Sequence, residues 1–278
     1  MKQIKMLMKL LLLCTMAVAL VYVAGCSDTA TEPTSEVVAL STAPTPVNKE
    51  LLPNPYDWVG EAHNDGMDYM YTNLAEMEFT AENIEDKTES LIRDYLTDNG
   101  YILEGLDAVK MGMNIGRHEV IIKREGSRWD SVLDSVIENS DLLEKQKYYL
   151  SQISQLIDDQ LPLEALDFAL KEINTSAAVE ELSEVDLAVI LTASSVAFSS
   201  SKCWHEMSAK WENMLKSKLD IPGFTLDKWV KADIAGAIAG GIVGGALGGL
   251  PGAGTGAVIA GTTASLASLI NEVLDYYF

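Results

Sequence analysis

Three histidines carry the side chains best suited to acid–base or metal chemistry near neutral pH. Each stands beside an acid or an amide, as His63-Asn64-Asp65, His118-Glu119 and His205-Glu206. Imidazoles and carboxylates together could bind a transition metal. No HExxH spacing and no paired cysteines bring them onto one helix face, so the pattern implies no metal and no catalytic residue. His63 is expected instead to bond to backbone near the start of the first helix. Serines crowd Ser194 to Ser201, but the G-x-S-x-G elbow that would expose a nucleophile is missing. The glycines from Gly236 onward follow no strand and form no phosphate loop. The alternating acidic ligands of a calcium loop are also absent. Cys203 reads as a buried, inert thiol. The chain therefore reads as non-enzymatic, with no cofactor.

One spacing does point to a definite chemistry, at Cys26. Lys2, Lys5 and Lys9 precede an apolar run over residues 10–23, which ends in Val23-Ala24-Gly25-Cys26. This resembles the lipobox of bacterial lipoproteins. The resemblance implies a signal peptide over residues 1–25, cleaved before Cys26, and a diacylglycerol group on the thiol. Two or three acyl chains give a stable anchor, because each buried methylene contributes about 0.8 kcal/mol. In the sorting rules of such proteins an aspartate after the cysteine marks inner-membrane retention. Ser27 stands there instead, which favours the outer membrane. Asp28 and Glu32 resemble the acidic surface-export tags of Bacteroidota lipoproteins.

Residues 26–55 are rich in Ser, Thr, Pro and Glu and read as a lipidated tether with a reach of roughly 30 Å. Asn54-Pro55-Tyr56-Asp57, followed by Gly60 and His63-Asn64, opens the folded region. This is similar to the opening of a set of uncharacterised Bacteroidota lipoproteins and secreted proteins. Ala193-Ser194-Ser195 through Cys203-Trp204 resembles their second element. The likeness implies a bacterial cell-envelope location and brings no activity with it.

The elements that must position everything else lie at the carboxyl end. Residues 234–271 contain no charged side chain, and glycine recurs at four-residue spacing as Gly236, Gly240, Gly244, Gly248, Gly252 and Gly256. A second ridge runs through Gly241, Gly245, Gly249 and, after a gap, Gly261. Residues four apart share a helix face, so such a face is a groove that another backbone can enter. Pro251, among Gly249, Gly252 and Gly254, predicts a hairpin turn. The arms, about 234–250 and 253–270, would each be roughly 26 Å long, slightly short of the ~30 Å hydrocarbon core. The first arm holds seven glycines, a helix-propensity penalty of roughly 5–7 kcal/mol that close packing must offset.

Between tether and hairpin the apolar spacing is helical. Thr80 is placed to cap a helix ending at Asn99-Gly100. Stripes at Trp129 to Ile137, Leu142 to Ile157, Leu163 to Ile173 and Trp204 to Leu215 follow the i, i+3, i+4 rule. Ser183 is placed to cap 185–198, which is apolar nearly all round and so reads as a central helix. Residues 118–123 are the only strand candidate. The fold class is all-α: a multi-helix bundle with a C-terminal hydrophobic glycine-zipper helical hairpin. The domains read as signal 1–25, tether 26–55, acidic helical domain 56–232 and hairpin 233–278.

The formal charge is −21, and loss of three lysines with the signal would make it −24. That excludes nucleic acid and anionic lipid as partners held by general electrostatics. The partners implied are membrane lipid through acylated Cys26 and self-association through the glycine ridges. Two readings stay open. In one, the hairpin enters or associates with membrane, in a membrane-active, bacteriocin-like or scaffold role, and Trp229, Tyr276, Tyr277 and Phe278 form an interfacial belt. In the other, the protein is a binding or structural lipoprotein whose hairpin is the core of a soluble bundle.

Overall fold

The computed structural model describes residues 51–102, 107–125, 132–220 and 226–277, with only the backbone described at 118–125 and 226–228. Cys26, the expected signal, Trp129 and the tether up to residue 50 lie outside these. The described residues form helices and no strand. In chain order they are α1 (Asp57–Glu76), α2 (Ile84–Asp98), α3 (Ala108–Glu125), α4 (Val132–Asn139), α5 (Glu144–Asp158), α6 (Leu163–Ala177), α7 (Glu184–Leu219) and α8 (Leu226–Tyr277). The all-α bundle with a C-terminal hairpin is thus the observed fold.

The helix α8 is two arms. Gly249 takes φ 63° and ψ −147°, so the helix breaks there and the chain reverses. Only glycine adopts that conformation without strain. Pro251 lies in the first turn of the second arm, where a missing N–H leaves no intrahelical bond unmade. The second arm is enclosed. From residue 252 to 270 every position is buried except the half-buried Thr255. The first arm is buried from residue 229 to 241, apart from the half-buried Ala239, and emerges toward the tip at Ala246, Leu247 and Gly248. Helices α3 and α7 cover the hairpin most extensively, with α1 and α4 beside them.

Helix α7 runs unbroken for 36 residues and joins two stripes that the sequence reads as separate helices. Its ends are well matched to the backbone dipole. Ser183 Oγ accepts from Asp186 N at 3.1 Å. Glu184 and Asp186 lie in the first turn and Lys216 and Lys218 in the last. Residues 188–197 are all buried, as expected of a central helix. Ser183→Ala should lower stability by about 1 kcal/mol, because it orphans one N-terminal donor. A urea unfolding curve with a lower midpoint and unchanged slope would show this.

Two local expectations are corrected. Thr80 is not the cap of α2, which starts at Ile84 after Asn83; the Asn83 side chain instead accepts from Thr80 N at 2.9 Å. Residues 118–123 belong to α3 and not to a strand. Its preceding turns pack so closely on the second arm that the helix carries through a locally β-like run.

Candidate functional site

The hairpin is held together through its glycines. A methyl group at Gly240 would lie 2.0 Å from the carbonyl oxygen of Gly256, and one at Gly244 would lie 2.0 Å from that of Gly252. One at Gly236 would lie 2.3 Å from Ala260 O, and those at Gly252 and Gly256 meet Gly244 and Gly240 in return. The four-residue register is therefore the arm-to-arm contact, backbone against backbone. The second ridge faces α7: a methyl at Gly245 would reach Val185 at 2.7 Å, and one at Gly241 would reach Thr192 at 3.5 Å. Gly248 has open space around it. Gly236, Gly240, Gly241, Gly244, Gly245, Gly252 and Gly256 are thus covered within the chain, whereas Gly248 and Gly249 at the tip are open.

The same device recurs on α1 and α3. Gly112 and Gly116, four apart on α3, press on the second arm at Ala260, Thr263, Ala264 and Ala267. Gly60 on α1 leaves room for the Ser195 carbonyl and Ser199 of α7. The serine run is explained by this packing. Ser195 Oγ accepts from Gly60 N at 3.0 Å and donates to Asp57 O at 3.2 Å.

At the base of the hairpin lies a sealed polar cluster. Asp233, at the start of the uncharged stretch, is fully buried, and so is His63 of α1. His63 Nε2 stands 3.3 Å from Asp233 Oδ2. The same oxygen accepts from Ser200 Oγ at 2.5 Å and from Trp204 Nε1 at 3.1 Å. Asn64 gives its amide hydrogen to Ser199 O at 2.9 Å, so its oxygen faces His63 Nδ1 at 3.0 Å. That nitrogen must then carry a proton, and the other faces a carboxylate. Burial pulls the His63 pKa down, but the Asp233 charge and the acceptor oxygens of Asp233 and Asn64 beside the ring raise it more, and the net direction is up. The expected bond from His63 to nearby backbone is replaced by this pair, which ties α1 to α8.

The cluster cannot act as a hydrolase triad. Ser200 gives its proton to the carboxylate and not to the imidazole, and no solvent reaches any of the three. Cys203 beside it is buried. Burial, then the charges of Asp233, Asp68 and Glu206, push its thiol pKa up to about 12, with Lys210 pulling weakly the other way. It is a thiol at neutral pH, donating to Met207 Sδ at 3.7 Å. His205 is exposed on α7; the side chain of His118 lies outside the described residues. Among the described residues no group of three or more His, Cys, Asp and Glu is placed to hold a metal ion.

Aromatic packing closes the base. Trp229 is buried with its ring centroid 4.4 Å from that of Trp204, which in turn neighbours Trp211. Trp229 therefore does not sit in a surface belt, whereas Tyr276 and Tyr277 are exposed. A second ion pair, Lys231 Nζ to Asp158 Oδ1 at 2.5 Å, joins the first arm to α5. The charged fastenings of the hairpin thus gather at its base, and none of its tip residues is charged.

Compared with models of protein families, with curated proteins and with solved structures, the chain matches none.

Proposed function

We propose that this protein is a non-catalytic, lipid-tethered helical module of the bacterial cell envelope, and that its hairpin is the packed core of a water-soluble bundle. The observation that carries this reading is the enclosure of the second arm, buried at all but one position from 252 to 270. An arm that already meets α1, α3, α7 and its own partner arm needs no lipid to satisfy its bare backbone. The buried His63–Asp233 pair supports the same view, since it joins hairpin and coat in a place sealed from water. Acylation of Cys26 would supply the membrane attachment, and the binding or structural task would fall to the displayed bundle. Detergent-phase partitioning of a Cys26→Ala variant tests this. We expect the variant in the aqueous phase as a monodisperse species; retention in the detergent phase would overturn the reading.

A second reading has its own support. Helix α7 and residues 229–277 of α8 are long and apolar enough to cross a bilayer. The arms already pair backbone to backbone, as membrane hairpins do. In this reading the bundle opens and the hairpin enters lipid as a unit. Release of dye from neutral-lipid vesicles by the Cys26→Ala variant would favour it, and intact vesicles at acid and neutral pH would remove it.

A further inference from the structure

Helix α1 meets the hairpin through apolar packing. Val59 and Ala62 cluster with Val196 of α7 and with Ala237, Ala257 and Val258 of the two arms. A polar contact joins them as well: His63 Nε2 stands 3.3 Å from Asp233 Oδ2, with both residues sealed from water. The imidazole has an acceptor at each end. Asp233 Oδ2 faces one nitrogen, and Asn64 Oδ1 faces the other at 3.0 Å. Asn64 keeps that oxygen toward the ring because its amide donates to Ser199 O at 2.9 Å. With a proton on each nitrogen, both contacts set donor against acceptor. With one proton removed, whichever tautomer forms, a nitrogen lone pair faces an oxygen lone pair in a place without water. The opposed contact falls on α1 in both cases. It breaks either the link to α8 through Asp233 or the link to α7 through Asn64. Asp233 itself stays fastened to α7, since Ser200 Oγ and Trp204 Nε1 still donate to it.

We propose that His63 is a proton-operated latch: loss of a ring proton releases α1 from the hairpin, while α7 stays fastened to it. Release would uncover Ala237, Ala257 and Val258, on the side of the arms that α1 covers. The latch belongs to the bundle alone and does not depend on acylation of Cys26. The elements packed on α1 are α2, α7 and α8. Each brings titratable groups toward this region. Tyr95 of α2 donates its hydroxyl to Ala62 O at 2.8 Å. Cys203, Glu206 and Lys210 come from α7, and α1 itself carries Asp65 and Asp68. On α8, beside Asp233, Lys231 is engaged with Asp158 of α5. Burial pushes the Cys203 thiol up to about 12 and raises the Tyr95 phenol too, so neither changes charge near neutral pH. The opening of α1 should therefore follow the imidazole. It stays level below about pH 6.5, grows with pH up to the folded pKa of His63, and is level again beyond it.

The test follows the full chain carrying Cys26→Ala from about pH 6 to about pH 9. Nitrogen chemical shifts of the His63 ring report its protons. Amide hydrogen exchange, corrected for its intrinsic pH dependence, reports opening helix by helix. We expect one ring nitrogen to lose its proton within this range. Across that step, protection over α1 should fall by up to about tenfold per pH unit, the limit for a single proton. Protection over α7 around Ser200 and Trp204 should hold. In His63→Leu the protection of α1 should no longer depend on pH; the two readouts on the native ring decide the matter even if that variant fails to fold. A ring whose protons do not change over the range would overturn the latch. So would a titrating ring with constant protection over α1. Equal losses over α1 and α7 would overturn it too, since the whole bundle would then be opening.

Discussion

Replacing Gly240 with leucine should lower the stability of the bundle by at least about 3 kcal/mol, a fall in Tm of roughly 6–12 °C for a protein of this size. Glycine-to-larger changes in a helix normally gain about 1 kcal/mol in local propensity. Here the first added carbon would fall 2.0 Å from the Gly256 carbonyl oxygen, and the obstacle is backbone that cannot rotate away. The arms must move apart, and their separation would disturb the contacts with α7. Gly248→Ala is the matched comparison. Nothing lies within 4 Å of the added carbon there, so stability should stay level or rise by up to about 1 kcal/mol. Thermal unfolding of both variants checks the pair. Equal, small effects at the two positions would show that the close approach of the arms contributes nothing.

Removing Asp233 should have the next largest effect. Asp233→Ala leaves the His63 imidazole, the Ser200 hydroxyl and the Trp204 N–H facing the vacated place in a site sealed from water. Breaking one side of a buried pair lowers stability by about 3–5 kcal/mol. The double variant His63→Leu with Asp233→Leu should recover much of that loss, because no charge is then left buried. Denaturant unfolding of the single and double variants measures the coupling. The pair also gives a pH signature. The folded pKa of His63 lies above its unfolded value of about 6.5. The stability it contributes is therefore fully present below about pH 6.5 and is lost as the pH rises through the folded pKa. The stability gap between the protein and His63→Gln should narrow from pH 6.5 upward. A gap that widens with pH would mean that the imidazole is neutral in the fold.

The arm-to-arm contact was legible in the sequence because it depends on what is missing. A helix face of glycines has few uses other than close approach, and the absence of charge over residues 234–271 says that this face is covered. The pair Gly112 and Gly116 carries the same four-residue signal and could have been read from it. It stands in α3 just before the run at 118–123 that has strand character, where one spacing says little. The continuity of α7 was harder to foresee. Ser199, Ser200, Ser201 and Lys202 look like a break, and only the room left by Gly60 on α1 shows why small polar side chains suit that stretch. Asp233 was the least legible residue. An acid at the edge of an apolar run ordinarily marks the return to solvent. Its partners are far off in sequence, His63 on α1 and Ser200 and Trp204 on α7, so no local pattern announces that it is buried.

The placement of α8 at the centre of the bundle has a consequence for how the protein is made. Every helix that wraps the second arm leaves the ribosome before the arm does. Until translation passes residue 270, α1, α3 and α7 have an incomplete interior and nothing to close upon. A nascent chain halted at residue 220 would expose Met67, Met113 and Val189 to water and should remain loose and prone to aggregation. Folding of the bundle thus waits until the second arm has been made.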